Sequence, residues 1–330
     1  MNSSPMNGTA SYPLRSYRGR AIVLVIAAAG ALFVCFAVVF PPSLSSLRSV
    51  RRSAGADPRI TGTSGSTLSP EAAAVAAVGG VTAPRPAWCD ALVASPLPAG
   101  GGGCHPSSAA NCGPGVPPRF YGQFGQDAWL YSQHFRFLKR PGVFFDVAAN
   151  EAFGISNTYV FEACLGWKGI CVEPNTRYLR ALHTHRTCEL VPLCLAEKPK
   201  TVTFIDYLGL SGIAETNKNL NGSASWQRPV RSAPRRQIDC TTATEVLRRT
   251  GLTHIDFMSL DVEGAELAVL EGIDWSHTRI DVIALEEESA DAGALAFLVA
   301  RGYRPVYFNP ERKEDVICFH PDVKIGEPSP

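Results

Sequence analysis

Three acidic residues, Asp146, Glu173 and Asp261, each come at or just after the end of a short run rich in Val, Ile, Leu and Phe. Such runs have the composition of buried β-strands. In an open α/β sheet, ligands bind beyond the carboxyl ends of the strands. Carboxylates at that edge can hold ribose hydroxyls, offset a positive charge or accept a proton. Three acids in this position predict one ligand site.

The residues beside these acids also fit a ligand site. Residues 146–154 read DVAANEAFG, and small side chains there let the backbone approach a ligand. Glu173 lies 21 residues beyond Ala152, which is about the spacing at which an acid reaches a ribose diol in dinucleotide folds. Asp261 and Glu263 stand two apart where a strand gives way to a helix. Taken singly, each feature also fits a tight turn or a solvated helix cap, so the prediction depends on their combination.

The surrounding sequence alternates β-rich runs with stretches of helical spacing, which predicts a parallel sheet with helices on both faces. The predicted strands are 143–147, 169–172, 190–193, 257–260 and 281–285. The predicted helices are 155–165, 175–185, 242–249, 265–270 and 290–300, the third of which opens on the capping-box pattern TATE. Two final runs, 304–308 and 316–319, predict an antiparallel hairpin at the edge of the sheet.

The run 21–40 contains twenty residues without a charge or an amide. As a helix rising about 1.5 Å per residue, it would cross a bilayer core of about 30 Å. It is longer than the apolar part of a signal peptide, and no cleavage site of small residues follows it. We therefore expect a single transmembrane anchor, with residues 1–20 in the cytosol and the body of the chain in the lumen of the Golgi or ER. An organelle-targeting role for the basic N-terminal segment stays open.

The net charge of +1 averages two unlike parts of the chain. Residues 1–60 hold seven Arg and one Asp, which leaves 24 basic and 29 acidic side chains in the other 270 residues. A mildly acidic body without a basic stripe excludes nucleic acid as the main partner.

Residues 41–117 are rich in Pro, Gly, Ala and Ser and show no apolar period, which predicts a disordered stem before a folded domain at 118–330. Cys89, Cys104 and Cys112 fall in this stem, where little core is available, and we expect them to form disulfides. The sequon at 221–223 is usable only in the lumen.

Four further segments stand out: YGQFGQDAWL (121–130), FFDVAANEAFGISNTYVFE (144–162), GWKGICVEPN (166–175) and IDFMSLDVEGAELAVLEGIDW (255–275). Together they resemble the FkbM-type methyltransferases. The resemblance implies the class I methyltransferase fold, a Rossmann-like seven-stranded sheet with an antiparallel last strand. It also implies S-adenosylmethionine as the cofactor and a hydroxyl oxygen as the methyl acceptor.

The resemblance also implies roles for particular residues. Glu173 would hold the ribose hydroxyls, Asp261 would lie near the sulfonium, and Glu263 would order the loop. The residues implied at the methionine and ribose end are Asp146, Ala148 and Asn150, and those near the cofactor entrance are Gln126 and Asp127. Asp261 or Glu263 is the expected catalytic base, with His134 and His254 as weaker candidates.

The first loop departs from the family pattern Asp-x-Gly-x-Asn-x-Gly, because Ala148 and Ala152 replace both glycines and Glu151 stands where Asp is common. Alanine at a position of positive φ costs about 1 kcal/mol, and its methyl group can crowd a cofactor. Gly154 is a candidate to take over the permissive role.

These observations predict a membrane-anchored S-adenosylmethionine-dependent O-methyltransferase that acts on a glycan or another hydroxyl in the secretory pathway. The alternative is a non-catalytic binding or trafficking module that has lost the cofactor, and restoring glycine at 148 and 152 distinguishes the two. A nicotinamide-dependent oxidoreductase is disfavoured by the Asp261-x-Glu263 pair and by the terminal hairpin.

No metal site is predicted. His183 and His185 lie two apart on a predicted helix and point about 200° apart, so they do not readily share an ion. Cys188 and Cys194 form a local disulfide or pack as buried thiols. The acids 286–288 are a solvated cap or part of the substrate rim.

One Pro- and Ser-containing loop is predicted to form a mobile, solvated lid. It carries Arg228, Arg231, Arg235 and Arg236, and the alternative is that these arginines contact an acidic sugar.

Overall fold

The structure is a computed structural model that describes residues 21–28, 31–38, 85–86, 89–90, 120–220, 224–286, 293–309 and 315–326. The chain divides into two compact units, Met1–Thr63 and Ser64–Pro330. The sequon at 221–223, the acids at 287 and 288 and most of the predicted stem lie outside the described residues.

In the first unit, β1 (Ala21–Ala28) and β2 (Ala31–Val38) pair in antiparallel register, from Ala21 opposite Val38 to Ala28 opposite Ala31. The structure therefore differs from the single helix predicted over 21–40. β1 contains two Val and two Ile, and β2 contains two Val and two Phe, residue types that favour strands. Apolar periodicity alone does not separate a buried strand from a buried helix. Within the described part of the chain, no helix is long and apolar enough to cross a membrane.

The second unit is built on a seven-stranded sheet in the order β12-β13-β11-β10-β3-β4-β5. The strands are β3 (Val143–Val147), β4 (Lys168–Val172), β5 (Glu189–Val191), β10 (His254–Leu260), β11 (Arg279–Glu286), β12 (Arg304–Val306) and β13 (Asp315–Phe319). Neighbouring strands are parallel except where β13 meets β11 and β12. The predicted parallel sheet and terminal hairpin are confirmed, with β12 as the outermost strand.

The described helices are α1 (Gln126–Gln133), α2 (Tyr159–Leu165), α3 (Thr176–His185), α4 (Ala224–Ser232), α5 (Ala243–Thr250), α6 (Glu266–Glu271) and α7 (Gly293–Ala300). Five of them lie close to the predicted ranges, whereas α1 and α4 were not predicted. The side chain of Thr242 accepts a hydrogen bond from the Glu245 amide and caps α5, as the TATE pattern predicts. Helix α2 starts four residues later than predicted because Ile155 has a left-handed backbone with φ of 57°.

The core lies on both faces of the sheet. Because side chains alternate along a strand, Phe144 packs in one cluster and Phe145 in the other. The first cluster includes an aromatic group in which the Phe135 ring contacts the rings of Phe161 and Trp167 with centroids 5.0 and 4.8 Å apart. The helices thus hold the sheet rigidly on both sides, and the ends of its strands are fixed in position.

A second sheet of four short strands, in the order β6-β9-β7-β8, was not predicted. The strands are β6 (Cys194–Leu195), β7 (Lys200–Ile205), β8 (Gly212–Ile213) and β9 (Arg235–Thr241). The prediction of one loop carrying four arginines is wrong, since Arg228 and Arg231 lie on α4 and Arg235 and Arg236 on β9. Arg228, Arg231 and Arg235 are exposed, as expected of solvated side chains. Arg236 donates to Asp206 Oδ2 at 2.8 Å and to the Pro174 carbonyl at 2.5 Å. β9 was not predicted because charged residues interrupt the alternation of apolar side chains along it.

Three disulfides join described residues: Cys89–Cys164, Cys171–Cys188 and Cys194–Cys240. The expectation for Cys89 is confirmed, and its bond ties a segment of the predicted stem to α2. The expectation of a local Cys188–Cys194 bond is wrong, because Cys188 bonds to Cys171 on β4 and Cys194 bonds to Cys240 on β9. Cys104 and Cys112 lie outside the described residues.

Candidate functional site

A cleft lies at the carboxyl ends of β3, β4 and β10. Ligands of open α/β sheets bind at this edge. One wall consists of the loops that follow the three strands, and the opposite wall is the segment 204–213 between β7 and β8. Of the residues predicted from the sequence, Asp146, Ala148, Asn150, Glu173, Asp261, Glu263 and Gln126 all line this cleft.

The loop after β3 has a left-handed backbone at Ala148, with φ of 65°, and at Asn150, with φ of 54°. The departure from glycine at 148 therefore imposes the strain expected for alanine in that region. Ala152 is buried in the core, has no positive φ and does not line the cleft. The suggestion that Gly154 takes over a left-handed role is wrong, because its backbone is not in that region.

Glu173 connects the loops after β3 and β4. Its Oε2 accepts a hydrogen bond from the Asn150 amide and its Oε1 accepts one from the Asn175 amide, both at 2.7 Å. The side chain is buried, and burial raises the pKa of Glu173 to about 7 although the two amides oppose that rise. Glu173 is thus fixed in orientation while it borders the cleft.

Behind the first loop, Asp146 belongs to a buried network around Arg186. Asp146 Oδ2 accepts from the Thr158 hydroxyl at 2.5 Å and lies 3.9 Å from Arg186 Nη1. Arg186 also donates to Glu162 Oε2 at 2.7 Å and to Thr158 Oγ1 at 2.7 Å. Burial raises the pKa of Asp146, and the Arg186 guanidinium opposes that rise. This network holds the wall of the cleft in place from the inside.

The loop after β10 places several carboxyl groups around one lysine. Glu263 accepts from Asn219 Nδ2 at 2.6 Å, and its Oε2 lies 3.5 Å from Lys218 Nζ. Burial and the charge of Asp261 raise the pKa of Glu263 to about 8. Burial lowers the pKa of Lys218, but Glu286, Glu263 and Asp261 together raise it above its ordinary value. Glu286 pairs with Lys218 and is no solvated cap.

Residues 146–305 match the family model described as the methyltransferase FkbM domain. These residues are therefore similar to the FkbM methyltransferase domain, and we refer to them as the FkbM domain. No curated protein matches the chain. The matched residues run from Asp146 to β12, so they include the acids at the ends of β3, β4 and β10 and the second sheet.

Gln126 and Asp127 were predicted to lie near the cofactor entrance, and both precede the matched range. Only one of them lies at the cleft. Gln126 lines the cleft and donates to Asp315 on β13. Asp127 lies outside the cleft lining, fully buried, and accepts from the amides of Tyr121 at 2.7 Å and Ala128 at 2.8 Å. Burial raises the pKa of Asp127 to about 6, against the effect of these amides. Asp127 therefore shapes the segment before α1.

Neither histidine considered as a base lies at the cleft of the FkbM domain. The His134 ring packs edge-on against Phe319 with centroids 5.7 Å apart, and burial lowers the pKa of His134. His254 begins β10, at the opposite end of the strand from Asp261, and its Nε2 lies 2.9 Å from Asp281 Oδ2. Both histidines therefore contact residues of the fold away from the cleft.

Sequence reasoning missed Lys218, Asn157 and Arg186. Lys218 and Asn157 reach the site from turns whose sequences, TNKN and SNT, are indistinguishable from ordinary solvent-exposed loops. Arg186 follows α3 in a polar stretch, and only the fold shows that its side chain is fully buried. The small residues Gly209, Ser211 and Gly212, which line the cleft, were the available signal in this part of the sequence.

Gly264 is the position in the FkbM domain where we expect substitution by alanine to be most costly. Its φ is 106°, and an added Cβ would overlap the Thr216 carbonyl oxygen. Gly264→Ala should therefore lower the free energy of unfolding by about 2–4 kcal/mol in urea denaturation. Gly251→Ala is the matched control, because φ is 72° and no described atom lies within 4 Å of the added methyl. It should cost about 1 kcal/mol, and equal losses for both variants would contradict the close packing against Thr216.

Proposed function

We propose that the FkbM domain transfers a methyl group from S-adenosylmethionine to a hydroxyl oxygen of a glycan or another small acceptor. The observation that carries this proposal is the cleft, into which acids from three strand ends and the following loop converge. Open α/β sheets bind their ligands at this position. FkbM-type methyltransferases in general use this cofactor, and the matched range spans the strand ends and loops that carry those acids.

Two buried oxygens in the cleft fit the cofactor. Oδ1 of Asn150 and Oδ1 of Asn157 both belong to cleft-lining residues and have no hydrogen-bond partner among the described residues. An unpaired buried acceptor costs about 1–3 kcal/mol, so these atoms favour a ligand that donates hydrogen bonds. The amino groups and ribose hydroxyls of S-adenosylmethionine are donors of that kind. Asn157 Nδ2 donates to Ser259 Oγ at 3.1 Å, which fixes the orientation of its free oxygen.

The residues of the cleft then take distinct roles. When bound, the cofactor supplies an electrophilic methyl group on a positively charged sulfur. Glu173 would hold the ribose hydroxyls, Asp146 and Asn150 would face the methionine end, and Asp261 would place negative charge beside the sulfur. Glu263 accepts the proton that leaves the acceptor hydroxyl. Because one cleft holds both reactants, positioning supplies much of the rate.

The proposed location is the lumen of the Golgi or ER. Three disulfides support an oxidising compartment, since such bonds are rare in the cytosol. The charge-free run 21–40, preceded by Arg18 and Arg20, is the proposed attachment to the membrane, with the short N-terminal tail in the cytosol. Protease treatment of sealed microsomes tests this arrangement. Protection of the FkbM domain supports it, and digestion without detergent contradicts it.

Transfer of a radiolabelled methyl group tests the reaction itself. The full chain is incubated with S-adenosylmethionine labelled on the methyl group and with a set of neutral and acidic oligosaccharides. We expect label that resists mild base, because a methyl ether is stable where a methyl ester is hydrolysed. Glu263→Gln is the negative control. Base-labile label would assign a carboxyl acceptor, and no label with any acceptor would contradict the proposal.

Ala148→Gly separates this proposal from a non-catalytic module. Only Ala148 of the two substituted positions lines the cleft, so it alone is expected to crowd the cofactor. Removing its methyl group should tighten the binding of S-adenosylmethionine in calorimetry. Ala152→Gly, in the core, is the control and should leave the affinity unchanged. A non-catalytic module would bind no cofactor in either variant.

Cofactor binding should strengthen as the pH rises through about 7, where Glu173 loses its proton. Ribose hydroxyls donate to the carboxylate, so the ionised form binds better and the affinity falls as the pH drops below this value. The stability of the folded chain without cofactor depends on pH in the opposite direction. The raised pKa of Glu173 stabilises the fold fully below about pH 4.5, and that contribution is lost as the pH rises to about 7.

Calorimetric titration with S-adenosylmethionine at about pH 6 and about pH 8 measures this effect. We expect the dissociation constant to fall by up to about tenfold between these two conditions. Glu173→Gln keeps the shape of the side chain and should remove most of the pH dependence. The same pH dependence in Glu173→Gln would assign the effect to another group.

A further inference from the structure

A second group of carboxylates lies beside the proposed methyl-transfer site. Asp261 follows β10, Glu266 begins α6 and Glu286 ends β11, so two strand ends and one helix bring them together. One carboxylate oxygen from each residue lies within 4.8 Å of those from the other two. Oxygen ligands bound at about 2.0–2.6 Å to a single ion are separated by distances of this size.

Each of these residues has a buried oxygen without a hydrogen-bond partner in the described part of the chain. The atoms are Oδ1 of Asp261, Oε2 of Glu266 and Oε2 of Glu286. Glu266 is completely buried, and its Oε1 already accepts from the amides of Val262 at 3.0 Å and Gly264 at 3.1 Å. Those two bonds fix the carboxylate, so its free Oε2 is held among the other acids.

Within the described residues, basic side chains do not balance the local negative charge. Asp261, Glu263 and Glu286 surround Lys218, which pairs with Glu286 and lies 3.5 Å from Glu263. A carboxylate oxygen of Glu266 lies within 4.8 Å of those of Asp261 and Glu286. Carboxylates this close are not all ionised unless a cation or shared protons lie between them. Among the described residues, three acceptor atoms converge without a donor, as carboxylate oxygens do around a cation.

We propose that Asp261, Glu266 and Glu286 bind one hard divalent cation, such as Mg²⁺ or Mn²⁺. All three ligands are carboxylate oxygens, the type that these ions prefer over nitrogen or sulfur. Three protein ligands leave further coordination positions for water or for a substrate oxygen. The sequence did not indicate this site, since the spacing of 261, 266 and 286 matches no metal-binding motif.

The position of the cation indicates a role in methyl transfer. This role, unlike the binding of the ion, rests on the proposed function. Of the three ligands, Asp261 lines the cleft, next to Glu263. A cation held there would coordinate the acceptor hydroxyl and lower its pKa, while Glu263 receives the proton. Acceptors with adjacent hydroxyl groups, as in sugars, suit such a site because two oxygens can reach one ion.

Binding of Mn²⁺ to the metal-free full chain, followed by electron paramagnetic resonance without S-adenosylmethionine, tests the site. We expect one ion per chain with a dissociation constant below about 1 mM, displaced by excess Mg²⁺. Glu266→Gln and Glu286→Gln should each weaken binding by at least about tenfold. Glu271→Gln, an exposed acid at the other end of α6, is the matched control and should bind as the unmodified chain does.

The result that overturns the proposal is absence of bound Mn²⁺ in the unmodified chain at millimolar concentration, which would leave shared protons to balance the charge. Undiminished binding in both Glu266→Gln and Glu286→Gln would overturn it as well. Thermal unfolding of each variant shows that it is folded, and Glu286→Gln decides the matter if Glu266→Gln does not fold. Because the cofactor is absent from the experiment, its result is independent of whether the cleft binds S-adenosylmethionine.

Discussion

Replacing Glu263 by glutamine is expected to lower kcat for methyl transfer by about 10²–10⁴-fold, the usual contribution of a general base. The variant keeps the size of the side chain and an oxygen that still accepts from Asn219 Nδ2, so the loop should keep its shape. It removes the carboxylate to which the acceptor hydroxyl gives its proton. The affinity for S-adenosylmethionine should change little, because the methyl donor is held elsewhere in the cleft.

Single-turnover kinetics with labelled cofactor separate this effect from binding. Glu215→Gln is the matched control, because Glu215 is an exposed acid in the turn just before Lys218 and should leave kcat unchanged. If Glu263→Gln retained full kcat, Glu263 would have no role as a base. If kcat fell only because the cofactor no longer bound, Glu263 would instead be a positioning residue of the loop.

The second large effect is expected from Arg186→Met. Arg186 is fully buried and has hydrogen bonds to Glu162, Ser156 and Thr158, with its guanidinium 3.9 Å from Asp146. Removing the guanidinium leaves two buried carboxyl groups without a cation. Breaking a buried ion pair in this way typically costs about 3–5 kcal/mol, and we expect a loss of this size in the free energy of unfolding at neutral pH.

Urea denaturation of Arg186→Met, beside Arg248→Met, measures this loss. Arg248 pairs with Glu245 on the exposed face of α5, where solvent screens the interaction, so its replacement should have no measurable effect. Adding Glu162→Gln to Arg186→Met should restore part of the stability, because it removes one of the uncompensated charges. Equal stability of Arg186→Met and the unmodified chain would contradict the structural role of this network.

The strand ends and their acids were predictable because the information is local. Each strand of the main sheet is a short run of apolar residues followed by a polar turn, and the parallel arrangement follows from the alternation with helices. Asp146, Glu173 and Asp261 thus meet at one cleft as expected. The antiparallel β13 followed from the resemblance to the methyltransferase family and from the short charged loop before it.

The groups that tune this site were not predictable, because they depend on pairing between distant segments. Arg186 and Asp146 are 40 positions apart in the chain, and Lys218 reaches Glu286 across 68. Disulfide partners, such as Cys194 with Cys240, follow from the second sheet and not from cysteine spacing. The run 21–40 shows a related limit, since a uniformly apolar segment has no period that separates a helix from a pair of strands.

Calorimetric titration of the full chain with S-adenosylmethionine tests the central claim most directly, with NAD⁺ as the control ligand. The account predicts binding of one cofactor molecule per chain, with a dissociation constant in the range of about 1 μM to 1 mM that is usual for enzyme substrates. It predicts no binding of NAD⁺. A folded chain that shows no heat of binding with millimolar S-adenosylmethionine would contradict the account.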